Sequence, residues 1–177
     1  ITDNVNFALS GTEIEAIHSE SAYYEDTFEE KNFLQIKNIK DEKFNRQGIS
    51  VRNQLILLLQ GCYVNTPTVF MKRGLFEKFG YYDESIRTVE DWPMWIKLSK
   101  NGVKFHYLPM VTVKYRVHNR SVTNRGKDTA MFTKQQDTDW QVHEKYILKE
   151  LPPLRRILEI LEHRRIGILK KLGFTKR

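Results

Sequence analysis

The chain has 177 residues, 40% apolar and 29% charged, a composition that excludes a disordered segment and fits one globular domain with a substantial core. Its longest unbroken apolar run, Leu55 to Leu59, is far too short to cross a bilayer, and the N-terminal stretch shows neither the basic nor the apolar region of a secretory signal. The formal net charge is +7, but residues 151–177 hold eight Lys or Arg against two Glu, so that tail carries +6 and the body is nearly neutral.

Ile1 stands where a complete chain has Met, which points to a piece of a longer protein or a processed one. Cys62 is the single cysteine, so no internal disulfide forms, in keeping with a reducing cytosol. Its apolar neighbours predict a buried structural thiol.

At the N-terminus, Val5, Phe7 and Leu9 share one parity, which predicts a strand ending at Gly11, with a second short strand near Ile14–Ile17. Residues 19–30 are polar and acidic and read as a surface loop; residues 31–47 are highly charged and give no assignment. Residues 50–60 read as a helix, with Ser50 as N-cap, Val51, Leu55, Leu58 and Leu59 at helical spacing, and Gly61 as the stop. Thr66-Pro67 interrupts any helix, residues 68–71 read as a short buried strand, and residues 73–79 as a short helix closed by Gly80. After a loop over 81–88, Asp91 is placed to cap a helix over 92–100 that Asn101-Gly102 ends.

Residues 103–107 and 111–117 are β-like runs split by Pro109, the second alternating Val111, Val113, Tyr115 and Val117 with polar residues. Residues 130–151 and 154–172 both have helical periodicity, separated by Pro152-Pro153.

Glu90 and Asp91 form an acid pair directly before a helix. A carboxylate there is stabilised as the anion by the free amides of the first turn, so a plain cap explains Asp91 as well as chemistry does. The surrounding motifs shift the balance toward chemistry. The segments NTPTVFMKRGLFEKFGYYDES, VEDWPMWIKLSKNGVKFHYLP and VKYRVHNRSVT resemble the acceptor-side half of bacterial family 2 glycosyltransferases, which have the GT-A fold. The resemblance lies in a strand ending in a basic residue (Phe70-Met71-Lys72-Arg73), a GxxDE-like loop (Gly80 to Glu84), an E-D-W motif opening a helix, and a Y-R-x-H-x-x-S-x-T-like strand end. It covers about residues 60–123; residues 1–59 are compatible with it, and nothing beyond Gly126 is.

The resemblance implies an α/β fold, a partial GT-A-like domain over residues 1–125 followed by a helical extension over 126–177. It implies an inverting glycosyltransferase that moves a sugar from a nucleotide sugar to a glycan or lipid-linked acceptor. Asp91 would be the general base, with Glu90 in support; Trp92 is a candidate for acceptor surface or for core. In the second element, Arg116 or Arg120 would meet phosphate oxygens, Ser121 would join them in binding substrate, and His118 would help hold a divalent cation, Mn or Mg. The family's nucleotide pocket and its D-x-D-like metal motif are not found before Asp91, so most cation ligands are expected from a missing half and the 177 residues alone are expected to turn over poorly. Asp137-Thr138-Asp139 has the letters, but residues i and i+2 of a helix point about 200° apart and cannot chelate one ion. Asp139 and His143 share a helix face and read as a solvated pair.

Within residues 154–172, Leu154, Ile157, Leu158, Leu161, Ile168, Leu169 and Leu172 make an apolar stripe flanked by basic residues. It suits an interfacial helix on anionic lipid, or a terminal helix docked on protein. The expected location is the cytoplasm, at the inner face of the membrane if the tail binds lipid. The rival reading of the whole chain is a basic module binding nucleic acid or protein without catalysis. Its aromatics are interleaved with core-like apolar residues rather than basic ones, which argues against a stacking platform for nucleic acid.

Overall fold

The computed structural model describes residues 2–11, 13–37, 49–86, 88–118 and 138–171. These form a mixed α/β fold built on one central strand, β1 (Ala16–Glu25). β4 (Phe105–Val117) runs parallel to β1 along its whole length. The opposite edge of β1 is shared by two antiparallel strands: β3 (Phe70–Met71) pairs with Ala16 and Ile17, and β2 (Phe33–Lys37) pairs with residues 21–24.

The N-terminal segment is a helix, α1 (Thr2–Leu9), not the expected strand. The side chains it tucks in are Asn4, Phe7 and Ala8, at 3-4 spacing, while Leu9 is exposed. Three apolar residues of one parity are too short a sample to separate the two periods, and burial against Ile14, Ile17 and Leu108 selects the helix.

β1 also runs eight residues past the predicted end at Ile17, through a stretch that reads as a loop. Its polar residues are buried because the neighbouring segments satisfy them. Ser19 receives Thr68 and Thr112 as hydroxyl partners, Ser21 accepts from the Asn65 amide at 2.8 Å, and the Tyr107 hydroxyl donates to Glu20. Pro109 does not split β4. The register slips there, with Ser19 opposite Leu108 and Glu20 opposite Val111, so Pro109 and Met110 form a bulge in which no ladder N–H is required of the proline.

The helix α2 (Val51–Gln60) forms as expected, with Ser50 Oγ accepting from Asn53 N at 3.2 Å. Gly61 ends it in an extended conformation, which turns Cys62 outward; the thiol is exposed rather than buried. Residues 66–68 form a 3-10 turn, so the strand after it is only Phe70–Met71. Pro67 is accepted because it sits at the start of the turn, and Thr68 Oγ1 closes it by lying 2.7 Å from Asn65 O. α3 (Gly74–Phe79) ends at Gly80, whose φ of 78° lies in the region glycine favours.

The core forms around α4 (Asp91–Lys100), seven of whose ten residues are buried. Trp95 is fully buried and meets the Phe105 ring edge-on at 5.2 Å. Leu58 of α2 and Val142 and Ile147 from the C-terminal segment complete this cluster. Gln54 of α2 is also fully buried and ties three elements together: it donates to Ser99 Oγ (2.7 Å) and Val103 O (2.9 Å), and accepts from Phe105 N (2.8 Å).

His18 of β1 lies between the rings of Tyr63 and Tyr107, and its Nδ1 finds no hydrogen-bond partner among the described residues. Burial lowers its pKa from 6.5 to about 4. In that window the unfolded chain takes up a proton that the folded chain refuses, so stability falls as pH drops from about 6.5 to 4, by about 3 kcal/mol from this site. Burial also lowers His106 and His143, which slope the same way. The difference between wild type and His18→Leu in urea melts across this range isolates His18; identical slopes for the two proteins would refute the assignment.

After residue 137 the chain is helical through Val142, widens into a π turn over His143–Ile147, then tightens to a 3-10 turn over Leu148–Glu150. α5 (Pro153–Lys171) follows. Among the described residues no helix is long and apolar enough to cross a membrane.

Candidate active site

Asp91 is the first residue of α4 rather than its cap. The turn begins one residue earlier, with Trp92 N–H bonded to Val89 O at 3.1 Å, so Glu90 holds the cap position in a helical conformation and its side chain makes no capping bond. The Asp91 carboxylate is nonetheless anchored at both oxygens. Oδ1 accepts from Trp92 N at 2.8 Å, and Oδ2 accepts a short bond from the Thr66 hydroxyl. Each oxygen keeps a second lone pair for another donor. The residue as a whole is half-buried.

Thr66 was not legible as a partner. It belongs to the turn that hangs on the middle of β1: Asn65 bonds Ser21, and Thr68 Oγ1 accepts from Ser19 N at 2.9 Å. Sheet, turn and carboxylate thus form one chain of hydrogen bonds. Tyr82 also belongs here. Burial and then the charges of Asp91 and Glu90 raise its pKa, and its ring centroid lies 5.8 Å from that of Phe76 and 6.4 Å from that of Trp95. Glu90 is exposed. Trp92 belongs to the core: it is 7% exposed, and its Nε1 donates to Leu58 O at 2.7 Å.

The GxxDE-like loop has a structural task. Asp83 accepts from Lys145 Nζ at 2.6 Å, from Tyr146 Oη at 2.5 Å and from Ser85 Oγ at 2.7 Å. These bonds, Lys145 foremost, hold its carboxyl well below the usual carboxylate range. They also fasten the loop to the π turn. A cavity of about 280 Å³ opens between them, lined by Tyr81, Asp83, Pro93, Met94, Lys97 and Lys145 among others, and its lining does not include Asp91.

Arg116 is exposed near the end of β4, in register with Tyr24 of β1, and His118 is half-buried just beyond the strand. The turn holding Asp91 is anchored at Ser21, which is in register with Val113, so Arg116 lies three residues further on, about 10 Å along the sheet. Arg120 and Ser121 lie outside the described residues, as does Asp137. Among the described residues no group of three or more His, Cys, Asp or Glu side chains is placed to hold a metal ion. Asp139 and His143 do interact, but they are half-buried rather than solvated: the His143 ring lies parallel to Trp140 at 6.2 Å and edge-on to Trp92 at 5.5 Å.

Over 87 residues the chain is 32% identical to an uncharacterized glycosyltransferase of Rickettsia typhi and 29% identical to one of Rickettsia prowazekii. The matched stretch is 48% of this chain and 25% of each relative, so the chain spans about a quarter of the length of the curated relatives it matches. At a coarse level, then, it is related to proteins that bear the name glycosyltransferase. No family model and no solved structure matches it.

Proposed function

We propose that the chain is the acceptor-side part of an inverting family 2 glycosyltransferase of the GT-A type, with Asp91 as the general base. The observation that carries this reading is the Asp91 carboxylate, held at both oxygens on a half-buried residue at the start of α4. The similarity to proteins named glycosyltransferase supports the reaction class. In the proposed step an acceptor hydroxyl oxygen attacks the anomeric carbon of a nucleotide sugar. The bond from that carbon to the diphosphate breaks with inversion, and the hydroxyl proton passes to Asp91. Glu90 orients the acceptor, and the exposed ring of Tyr82 offers it an apolar face.

The acceptor is proposed to be a glycan or a lipid-linked sugar. Arg116 and the basic end of β4 would meet the leaving diphosphate, because the parallel strands β1 and β4 both end there. The cation implied by the resemblance does not find a ligand set among the described residues; with His118 it would need ligands from outside them, and no step above runs through it.

The reading is tested by incubating the full-length protein with a panel of labelled nucleotide sugars and candidate glycan acceptors. Acceptor-dependent release of nucleoside diphosphate is expected with one donor of the panel, and acceptor-independent behaviour with all of them would count against transfer. Thr66→Val in that protein is expected to lower kcat about tenfold with little change in donor KM, since losing one hydrogen bond to a charged group costs about 1.5–3 kcal/mol of positioning. A kcat within a factor of about two of wild type would show that Thr66 does not position the base.

A further inference from the structure

We propose that α5 lies flat on an anionic membrane surface, a property separate from the transfer chemistry. Leu154, Ile157, Leu158, Leu161 and Ile168 fall within about 100° of arc on this helix, and all are 54 to 72% exposed. Among the described residues nothing packs on the stripe; the opposite face is the one that meets the protein's body. There Arg156 donates from Nε to Leu148 O at 2.7 Å and from its terminal nitrogen to Lys149 O at 3.1 Å. His163 stacks on Trp140 with ring centroids 3.7 Å apart and planes 5° from parallel. The helix is therefore fixed by one side with its aliphatic side turned outward.

Charge identifies the occupant of that outward side. α5 carries six Lys or Arg against two Glu, and both acids are already matched, Glu159 by Arg155 and Glu162 by Arg165. A second copy of the chain packed stripe to stripe would set two +4 helices against each other. Such a seam would also trap Arg165, which lies inside the stripe, in a dry contact. A bilayer surface accepts both features: its anionic headgroups meet the surplus charge, and Arg165 can extend its head toward them while its stem stays among the aliphatic side chains. At 19 residues the helix is about 28 Å long, a shape suited to lying in the interface plane.

The test is sedimentation of the full-length protein with vesicles of phosphatidylglycerol and phosphatidylcholine in equal parts, against vesicles of phosphatidylcholine alone. Partition onto the mixed vesicles is expected to be at least about tenfold stronger. The double variant Leu158→Glu, Leu161→Glu should weaken it by more than about tenfold, because each leucine then forfeits its burial. Both positions are mostly exposed, so circular dichroism should match wild type. Arg164→Gln, also at an exposed position, provides a second variant and should weaken binding about fivefold. Equal binding to both vesicle types, or undiminished binding by the double variant, would overturn the proposal. So would a lipid-free dimer in solution that the double variant abolishes, since the stripe would then belong to a second copy.

Discussion

Asp91→Asn in the full-length protein is expected to lower glycosyl transfer by about 10²- to 10⁴-fold, the range that a positioned general base contributes. Asparagine keeps the size of the side chain, and its oxygen can still accept from Thr66 or from Trp92 N, so the start of α4 should survive. What disappears is the ability to take a proton. Glu90→Gln provides the contrast. Glu90 is exposed and makes no capping bond, so its loss should cost about tenfold or less, chiefly in acceptor KM. Equal effects at the two positions would mean that the pair acts as a field rather than as one base and one neighbour.

Gln54→Leu is expected to destabilise the fold by about 3–5 kcal/mol, a large part of the total stability of a domain this size. The leucine is apolar and of similar volume, but it removes three hydrogen bonds together. Ser99 Oγ, Val103 O and Phe105 N lose their Gln54 partner inside a dry core, at about 1–3 kcal/mol each. A fall in melting temperature of about 10 °C follows. The same substitution at exposed Gln60 is the control and should stay within about 0.5 kcal/mol. Because Gln54 links α2 to the end of α4 and the start of β4, a small effect would show that Trp95 and its neighbours alone hold the site's helix in place.

Local signals were legible where one segment decides its own shape. Ser50 and Gly61 bound α2, and Asn101-Gly102 closes α4, because caps and stops act over a few residues. The misreadings share a different cause. Residues 19–25 look like loop because their hydroxyls, carboxylates and tyrosines are polar, yet partners 44 to 93 positions away satisfy several of them inside the sheet. Pro109 looked like a break because the bulge that absorbs it exists only through pairing with β1.

The site divides the same way. Asp91 stood out by its place before a helix, whereas Thr66, 25 residues upstream, lies in a quoted segment that gives no sign of its bond to Asp91. Tyr82 was within a quoted motif, but the acid pair's effect on its phenol depends on how the loop folds back over Phe76 and Trp95. Trp92 was open between surface and core, and its bond to Leu58 O decides for core.

The proposed transfer turns on Asp91 as proton acceptor. Turnover and nucleotide-sugar affinity can be measured together on one preparation of the full-length Asp91→Asn protein. Turnover should be lower by at least about 100-fold with donor affinity within a factor of about two of wild type; near-normal transfer at unchanged donor affinity would rule Asp91 out as the base.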